Sequence, residues 1–298
     1  MMLAKYLLSF LLLISLECLY AQSDGTFPKV SLPPNYEGKL NLVYATLDGW
    51  EGKLDFYYPI DAQVSTPVVV NIHGGGWNHG QKESQTGFSS FFKRGIAVAN
   101  IEYRLESQAK APAAIEDIRC AVRYLIQNSK ELNIDTSRII LMGASAGGHL
   151  ALMAGLLNNS ETFDSNCATI PEPVQIFAII DKYGINDLSS PKVANSGSVK
   201  KWLGTKHGDF EFTKSVSPIF YVDPKSPPTF IIHGDMDPIV PYVQSENLHE
   251  KLMKVGVKTK FITIKGGKHG KFSKDEKKDI DKEMWLFLEE LGIDKIKK

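Results

Sequence analysis

Residues 138–150 read RIILMGASAGGHL: an apolar run, then a glycine-flanked serine, then small and apolar residues typical of a helix. Gly143, Ser145 and Gly147 form a G-x-S-x-G pattern at the junction of the predicted strand and helix. In such a sharp turn the serine hydroxyl projects out of the sheet, and glycines are needed because a Cβ would collide with neighbouring backbone. The stretch therefore predicts Ser145 as a nucleophile. Ala146 opens the helix, so its N–H is a donor without an intrahelical acceptor.

The chain around this stretch repeats the same pattern of buried strands separated by helices. Near-continuous apolar, β-branched runs predict parallel strands that are covered by helices on both faces. These runs are TPVVVNIH, GIAVANIEYRL, RIILMG, EPVQIFAIIDKYG, SPPTFIIHG and VKTKFITIKG. Residues 39–47 and 52–60 alternate around a turn, which predicts an antiparallel hairpin at the start of the sheet. The stretch from about Asn186 to Asp223 is predicted to be irregular and to lie over the carboxyl edge of the sheet, where ligands bind in this architecture.

Residues 1–21 differ in character from the rest of the chain. Lys5 precedes the apolar run YLLSFLLLISL, and Ala21 is the kind of small residue that precedes a cleavage site. The run is short for a membrane span and is followed by Glu17. We therefore expect a signal peptide over residues 1–21, a catalytic domain over residues 22–298, and a secreted or periplasmic mature protein with no membrane anchor.

Composition and cysteine content limit the possible partners. Basic and acidic residues number 34 each, so there is no electrostatic reason to expect binding to nucleic acid or to an anionic membrane. Removal of the signal peptide leaves Cys120 and Cys167. Cys120 lies in a predicted core-facing helix and is interpreted as a buried free thiol, although one disulfide remains possible in an oxidising compartment. No zinc-finger spacing is present, and no metal or cofactor is expected.

A nucleophilic serine needs a base, and the base needs an orienting acid. In strand–turn–helix serine enzymes the acid and then the histidine follow the serine along the chain, each after a strand. Asp235 and Asp237 follow the strand in FIIHGDMDPIVP, and His269 follows the last strand in FITIKGGKHG. Asp237 is favoured because it lies further into the loop, and Asp235 is the rival.

The stretch NIHGGGWNHG, residues 71–80, has three possible interpretations. A metal site on His73 and His79 lacks a nearby third ligand. A phosphate loop would need G-x-x-x-x-G-K-[ST] or a G-x-G-x-x-G that opens a helix, and neither occurs. A loop of backbone N–H donors for an oxyanion is favoured, because glycines allow the backbone to approach a substrate closely. His73 is then expected to brace the loop.

Taken together, HGGGW, EYRL, ASAGGH, SPPTFIIHGDMDPIVP and GGKHG resemble the secreted carbohydrate-esterase and feruloyl-esterase-like group of α/β-hydrolases, relatives of hormone-sensitive lipase. The resemblance covers nearly all of the mature chain and implies the α/β-hydrolase fold. It implies Ser145 as nucleophile, His269 as general base and acid, and Asp237 as orienting carboxylate. The oxyanion donors would be the N–H groups of Gly75, Gly76 and Ala146. Trp77 is a candidate wall for the acyl or leaving-group pocket.

The expected function is hydrolysis of carboxylic esters through an acyl-enzyme. The resemblance further implies that the substrates are acetyl or feruloyl esters. The esterified carbohydrate would be a plant cell-wall polysaccharide, such as xylan, or an oligosaccharide. Three alternatives stay open: a generic carboxylesterase or lipase-like enzyme, an amide-cleaving relative such as a peptidase or an arylformamidase, and an inactive hydrolase fold that only binds. The oligomeric state is not predicted.

Overall fold

A computed structural model describes residue 27 and residues 29–157, 160–170 and 173–294. The signal peptide expected over residues 1–21 lies outside these residues and stays a prediction. No helix in the described part of the chain is long and apolar enough to cross a lipid bilayer.

Eight strands form one mixed sheet in the order β1-β2-β4-β3-β5-β6-β7-β8. The strands β1 and β2 form an antiparallel hairpin, β2 also pairs antiparallel with β4, and the other neighbours are parallel. The predicted hairpin and mostly parallel sheet are therefore confirmed. The strands are β1 Tyr36–Leu47, β2 Trp50–Pro59, β3 Thr66–Ile72, β4 Ala97–Ile101, β5 Ile134–Ala144, β6 Ala178–Lys182, β7 Thr229–Gly234 and β8 Thr259–Ile264.

Helices cover both faces of this sheet. The α-helices are α1 Ser89–Phe92, α2 Ala113–Gln127, α3 Ala146–Leu156, α4 Pro191–Ala194, α5 Gly197–Leu203, α6 Phe210–Ser215, α7 Val243–Lys254 and α8 Lys274–Glu290. Side chains of α2, α3 and α7 pack into one apolar cluster with Val68 and Val70, whereas α1 and α8 pack into a second cluster with Val69. Successive β3 side chains thus enter opposite cores, which explains why the central strands read as unbroken apolar runs.

The segment predicted to be irregular contains α4, α5 and α6, so that prediction is wrong for part of its length. Two of these helices begin at recognisable N-caps: the Ser196 side chain accepts the Val199 N–H, and the Asp209 side chain accepts the Phe212 N–H. The segment does lie over residues 74–76, since a Cβ on Gly76 would come 2.8 Å from the Ser198 hydroxyl oxygen.

Cys120 and Cys167 form a disulfide, so the interpretation of Cys120 as a free thiol is wrong. Cys120 is buried as predicted, but the chain after α3 folds back over α2 and brings Cys167 to it. Asp164 fixes this return, because its carboxylate accepts hydrogen bonds from Arg119 and Arg123 of α2. The pairing depends on this long-range contact, which the spacing of two cysteines does not reveal.

Candidate active site

Ser145 lies in the turn between β5 and α3 with φ 56° and ψ −121°, a backbone conformation that side-chain-bearing residues rarely adopt. Its N–H donates to the Lys182 carbonyl at 2.9 Å, which anchors the turn to β6. A Cβ on Gly143 would lie 2.1 Å from the Gly147 carbonyl oxygen, and one on Gly147 would lie 2.2 Å from the Ile72 carbonyl oxygen. The two glycines of the motif are therefore required by contact with backbone on either side.

His269 and Asp237 complete a hydrogen-bonded chain with Ser145. The Ser145 Oγ lies 2.9 Å from His269 Nε2, and His269 Nδ1 lies 2.7 Å from Asp237 Oδ2. Because an ionised carboxylate only accepts, Nδ1 carries the proton and Nε2 is free to accept from the serine hydroxyl. The Asp237 side chain is fully buried, whereas that of His269 is 17% exposed. The structure thus brings together three side chains that lie far apart in the sequence, in the arrangement used for nucleophilic catalysis.

The two candidate acids have different environments. Asp237 Oδ1 accepts the N–H groups of Ile239 and Val240, and its Oδ2 faces two imidazoles. Burial favours a raised pKa for Asp237, but hydrogen bonds from His233, His269 and the Ile239 N–H outweigh it and hold the pKa well below its usual range.

Asp235 instead braces the loop after β8. It accepts the Gly266 N–H at 2.6 Å and lies 3.3 Å from the exposed Lys265 ammonium. Of the two acids, the structure joins Asp237 to His269 and uses Asp235 to hold the loop that carries it.

The oxyanion loop, residues 74–76, lies directly against the serine. A Cβ on Gly74 would be 3.5 Å from the Ser145 Cβ and 2.7 Å from the Ala144 carbonyl oxygen. Gly75 has φ 117°, and a Cβ there would lie 2.0 Å from the His79 carbonyl oxygen, so only glycine fits. Within the described residues, the N–H groups of Gly75, Gly76 and Ala146 donate to no backbone or side-chain acceptor. These donors remain available to a substrate oxygen.

Trp77 does not form the wall of an open pocket, so that prediction is wrong. Its ring is fully buried, stacks on Trp202 of α5 with centroids 4.6 Å apart, and meets His149 edge-on. The tryptophan is turned inward because α5 covers it, and it joins the oxyanion loop to the helical segment above. A sequence pattern could not distinguish these two orientations.

The two histidines of residues 71–80 differ in environment, and neither forms a hydrogen bond with the catalytic chain. His73 is buried, donates from Nδ1 to the Gly74 carbonyl at 2.7 Å and stacks on Tyr103, as expected for a brace. Burial lowers the pKa of His73 to about 4, so its ring is neutral at pH 7. His79 is exposed and contacts its neighbour Asn78. Across the described ranges, no group of three or more His, Cys, Asp or Glu side chains is arranged to hold a metal ion.

Sequence reasoning overlooked two residues that contact the catalytic chain. Tyr183 follows β6 with φ 46°, and its ring packs edge-on against His269 at 4.8 Å. His233, near the end of β7, places Nε2 3.1 Å from Asp237 Oδ2. Neither contact has a sequence signature, because each depends on how loops after different strands meet at one edge of the sheet.

This geometry agrees with a match to a known family. Residues 54–252, more than half of the chain and including Ser145 and Asp237, match the BD-FAE family. The chain belongs to the BD-FAE family.

Relatives and solved structures extend the family assignment. This BD-FAE chain is 28% identical to Esterase LipC of Mycobacterium tuberculosis (strain ATCC 25618 / H37Rv), over 68% of its own length and 53% of the relative. The chain spans about half the length of the curated relatives that it matches. It superposes with TM-score 0.77 and 27% identity on a truncated carbohydrate esterase from gut microbiota, covering 88% of this chain and 99% of the other. An acetyl ester-xyloside bifunctional hydrolase from Caldicellulosiruptor lactoaceticus matches with TM-score 0.71 and 29% identity, covering 83% and 90%. The α/β-hydrolase fold expected from the sequence is confirmed.

Proposed function

We propose that this protein hydrolyses carboxylic esters through a covalent acyl-enzyme. The observation that carries the proposal is the hydrogen-bonded chain from Ser145 through His269 to Asp237 beside three backbone N–H groups without acceptors. The esterase names of the relatives and of the superposed structures support it.

In the acylation half, His269 Nε2 accepts the hydroxyl proton as Ser145 Oγ bonds to the ester carbonyl carbon. The carbonyl oxygen becomes an oxyanion, which accepts hydrogen bonds from the N–H groups of Gly75, Gly76 and Ala146. The buried carboxylate of Asp237 stabilises the imidazolium and fixes its orientation. Collapse of the tetrahedral intermediate breaks the bond to the alcohol oxygen, which leaves with the proton from Nε2.

In the deacylation half, His269 Nε2 takes a proton from a water molecule as the water oxygen attacks the acyl carbon. The same three donors hold the second oxyanion. The bond to Ser145 Oγ then breaks, and the serine recovers its proton from Nε2. The carboxylic acid leaves, and the enzyme returns to its starting protonation state. One backbone pocket therefore serves both halves, because the oxyanion forms at the same carbonyl oxygen.

The proposed substrates are acetyl or feruloyl esters of plant cell-wall polysaccharide or oligosaccharide. The carbohydrate-esterase name of one superposed structure and the acetyl ester-xyloside activity named for another support this class. The signal peptide expected over residues 1–21 supports it as well, since polymeric substrates lie outside the cell. Export of the mature protein is part of this proposal.

A substrate panel tests both levels of the proposal. We would compare acetylated xylan, a feruloylated oligosaccharide, short-chain aryl esters and an aminoacyl amide, with Ser145→Ala as the matched control. Higher kcat/KM on a carbohydrate ester than on aryl esters is the expected result. Turnover of aryl esters alone would leave a generic carboxylesterase, and preference for the amide would overturn ester hydrolysis. Wild-type protein that neither turns over any substrate nor reacts with a fluorophosphonate probe would be an inactive hydrolase fold.

A further inference from the structure

His233 is a second imidazole on the carboxylate that orients His269. It lies at the end of β7 and is fully buried. Its Nε2 lies 3.1 Å from both Asp237 Oδ2 and the Val240 carbonyl oxygen, and its Nδ1 lies 2.7 Å from Ser245 Oγ on α7. All of its polar atoms are therefore used inside the protein, next to the catalytic chain but out of reach of a substrate.

The hydrogen-bond network fixes the protonation of His233. Both groups facing Nε2 are acceptors only, so Nε2 carries a proton. Ser245 Oγ has no other hydrogen-bonding partner among the described residues, so its proton is donated to Nδ1. The hydrogen bonds thus place a proton on Nε2 of His233 and on Nδ1 of His269.

Two N–H groups consequently share one oxygen of Asp237. His269 donates to Oδ2 at 2.7 Å and His233 donates to the same atom at 3.1 Å, while two backbone N–H groups occupy Oδ1. A donor that shares an acceptor oxygen reduces the electron density available to the other donor. The bond from His233 thus opposes the stabilisation that Asp237 gives to protonated His269, and it also prevents rotation of the carboxylate.

We propose that His233 is a positioning residue that holds Asp237 and moderates the basicity of His269 through the shared oxygen. This inference rests on the proposed function, since it concerns the same base. Loss of the donor at position 233 should strengthen the bond between Asp237 and protonated His269. The acid limb of the pH profile of kcat/KM should then move to higher pH by about 0.3 to 0.5 unit, and kcat should fall about tenfold as Asp237 gains freedom.

Other ionisable groups surround this network, and the variants that are compared must leave them unchanged because their protonation could also alter the pH profile. Tyr183 packs against both imidazoles, and its pKa is raised to about 12, mainly by burial, so it stays neutral in the assay range. Asp181 lies two residues before Tyr183, and burial raises its pKa to about 7, so this carboxyl titrates within the pH range of the assay. The remaining groups are Tyr242 from the start of α7, Lys182 after Asp181, Asp235, and the exposed Lys265, Lys268 and Lys271 of the His269 loop.

A matched pair of variants separates the donor from the rest of the side chain. In His233→Gln the amide nitrogen reaches the position of Nε2 and can still donate to Asp237. In His233→Asn the shorter amide reaches only the position of Nδ1, so the bond to Ser245 is kept and the bond to Asp237 is lost. All surrounding ionisable groups are unchanged in both variants, and of the hydrogen bonds that differ between them only the bond to Asp237 touches the catalytic chain.

The test measures kcat and kcat/KM on a short-chain aryl ester from pH 5 to 9, with thermal unfolding of each variant. We expect the wild-type acid limb in His233→Gln and the upward shift with the loss of kcat in His233→Asn. If both folded variants keep the wild-type limb, the moderating role is wrong and His233 is only a packing residue. Because Asp181 titrates in this range, the same shift between the two variants should persist in an Asp181→Asn background.

A measurement on the wild-type protein covers the case in which the variants do not fold. With ¹⁵N-labelled histidine, NMR at the pH of the activity assay should show the His233 proton on Nε2 and the His269 proton on Nδ1. A His233 proton on Nδ1 alone, or on both of its nitrogens, would overturn the inference. Failure of the proposed function looks different, because wild-type protein would then lack both ester turnover and fluorophosphonate labelling.

Discussion

Replacement of Asp237 by asparagine should abolish most of the activity by reversing the proton positions on His269. The Ile239 and Val240 N–H groups that face Oδ1 can only donate, so the amide oxygen of asparagine must take that position. The NH2 group then faces the imidazoles in place of Oδ2. His269 can adapt only by accepting at Nδ1, which places its own proton on Nε2 towards Ser145. In that form it cannot take the serine proton.

The expected loss in kcat is about four orders of magnitude, which is the cost of an aspartate-to-asparagine change in a triad with intact geometry. This loss corresponds to about 5.4 kcal/mol of activation free energy. The free energy of unfolding should fall by less than this amount. His233 also changes its proton position, so the buried carbonyl of Val240 loses its imidazole donor. One unpaired buried group costs about 1–3 kcal/mol, so the variant should remain folded.

The assay is steady-state hydrolysis of an aryl ester, with Asp235→Asn as the matched control two residues away. Asparagine at position 235 can still accept the Gly266 N–H and loses only the pairing with an exposed lysine, so kcat should stay within about threefold of wild type. Urea unfolding of both variants checks that they are folded. Loss of less than tenfold in a folded Asp237→Asn, or a larger loss in Asp235→Asn, would show that the acid has been assigned to the wrong residue.

Ser145→Ala should stay folded, lose fluorophosphonate labelling and lose at least about 10⁴-fold in kcat, and retained turnover would exclude this serine as the nucleophile. The Cys120–Cys167 bridge spans 47 residues, so the double variant Cys120→Ala/Cys167→Ala should lose about 4 kcal/mol of unfolding free energy. Scanning calorimetry should show this as a Tm lower by about 8 °C, and an unchanged Tm would contradict the bridge. Burial raises the pKa of Asp181 from its ordinary value near 4 to about 7. The folded state therefore binds the Asp181 proton more tightly than the unfolded state does. Stability is consequently lost as the pH rises from about 4 to about 7. Asp181→Asn should remove this loss, so in urea unfolding its free energy of unfolding should rise relative to that of wild type by about 2–3 kcal/mol from pH 5 to pH 8. Parallel pH dependences of the two proteins would refute the assignment.

The sequence determined those features that depend on neighbouring residues or on simple periodicity. The strand–turn–helix around Ser145 follows from a local pattern, and a Cβ on Gly143 would meet the Gly147 carbonyl within the same turn, whereas Gly147 is required by the Ile72 carbonyl of β3. Unbroken apolar strands follow from burial on both faces, so the parallel sheet could be inferred from the sequence alone. The order of serine, acid and histidine along the chain followed from the rule that active groups lie after strands.

The tertiary structure decided each point at which segments far apart in the chain meet. It joined Asp237 rather than Asp235 to His269, buried Trp77 under α5, and paired Cys120 with Cys167 through a returning segment. It also placed His233 on the catalytic carboxylate. The physical reason is common to all four. Hydrogen bonds and packing across the sheet edge depend on loop direction to within about an ångström, whereas residue type and spacing specify only which element a side chain occupies.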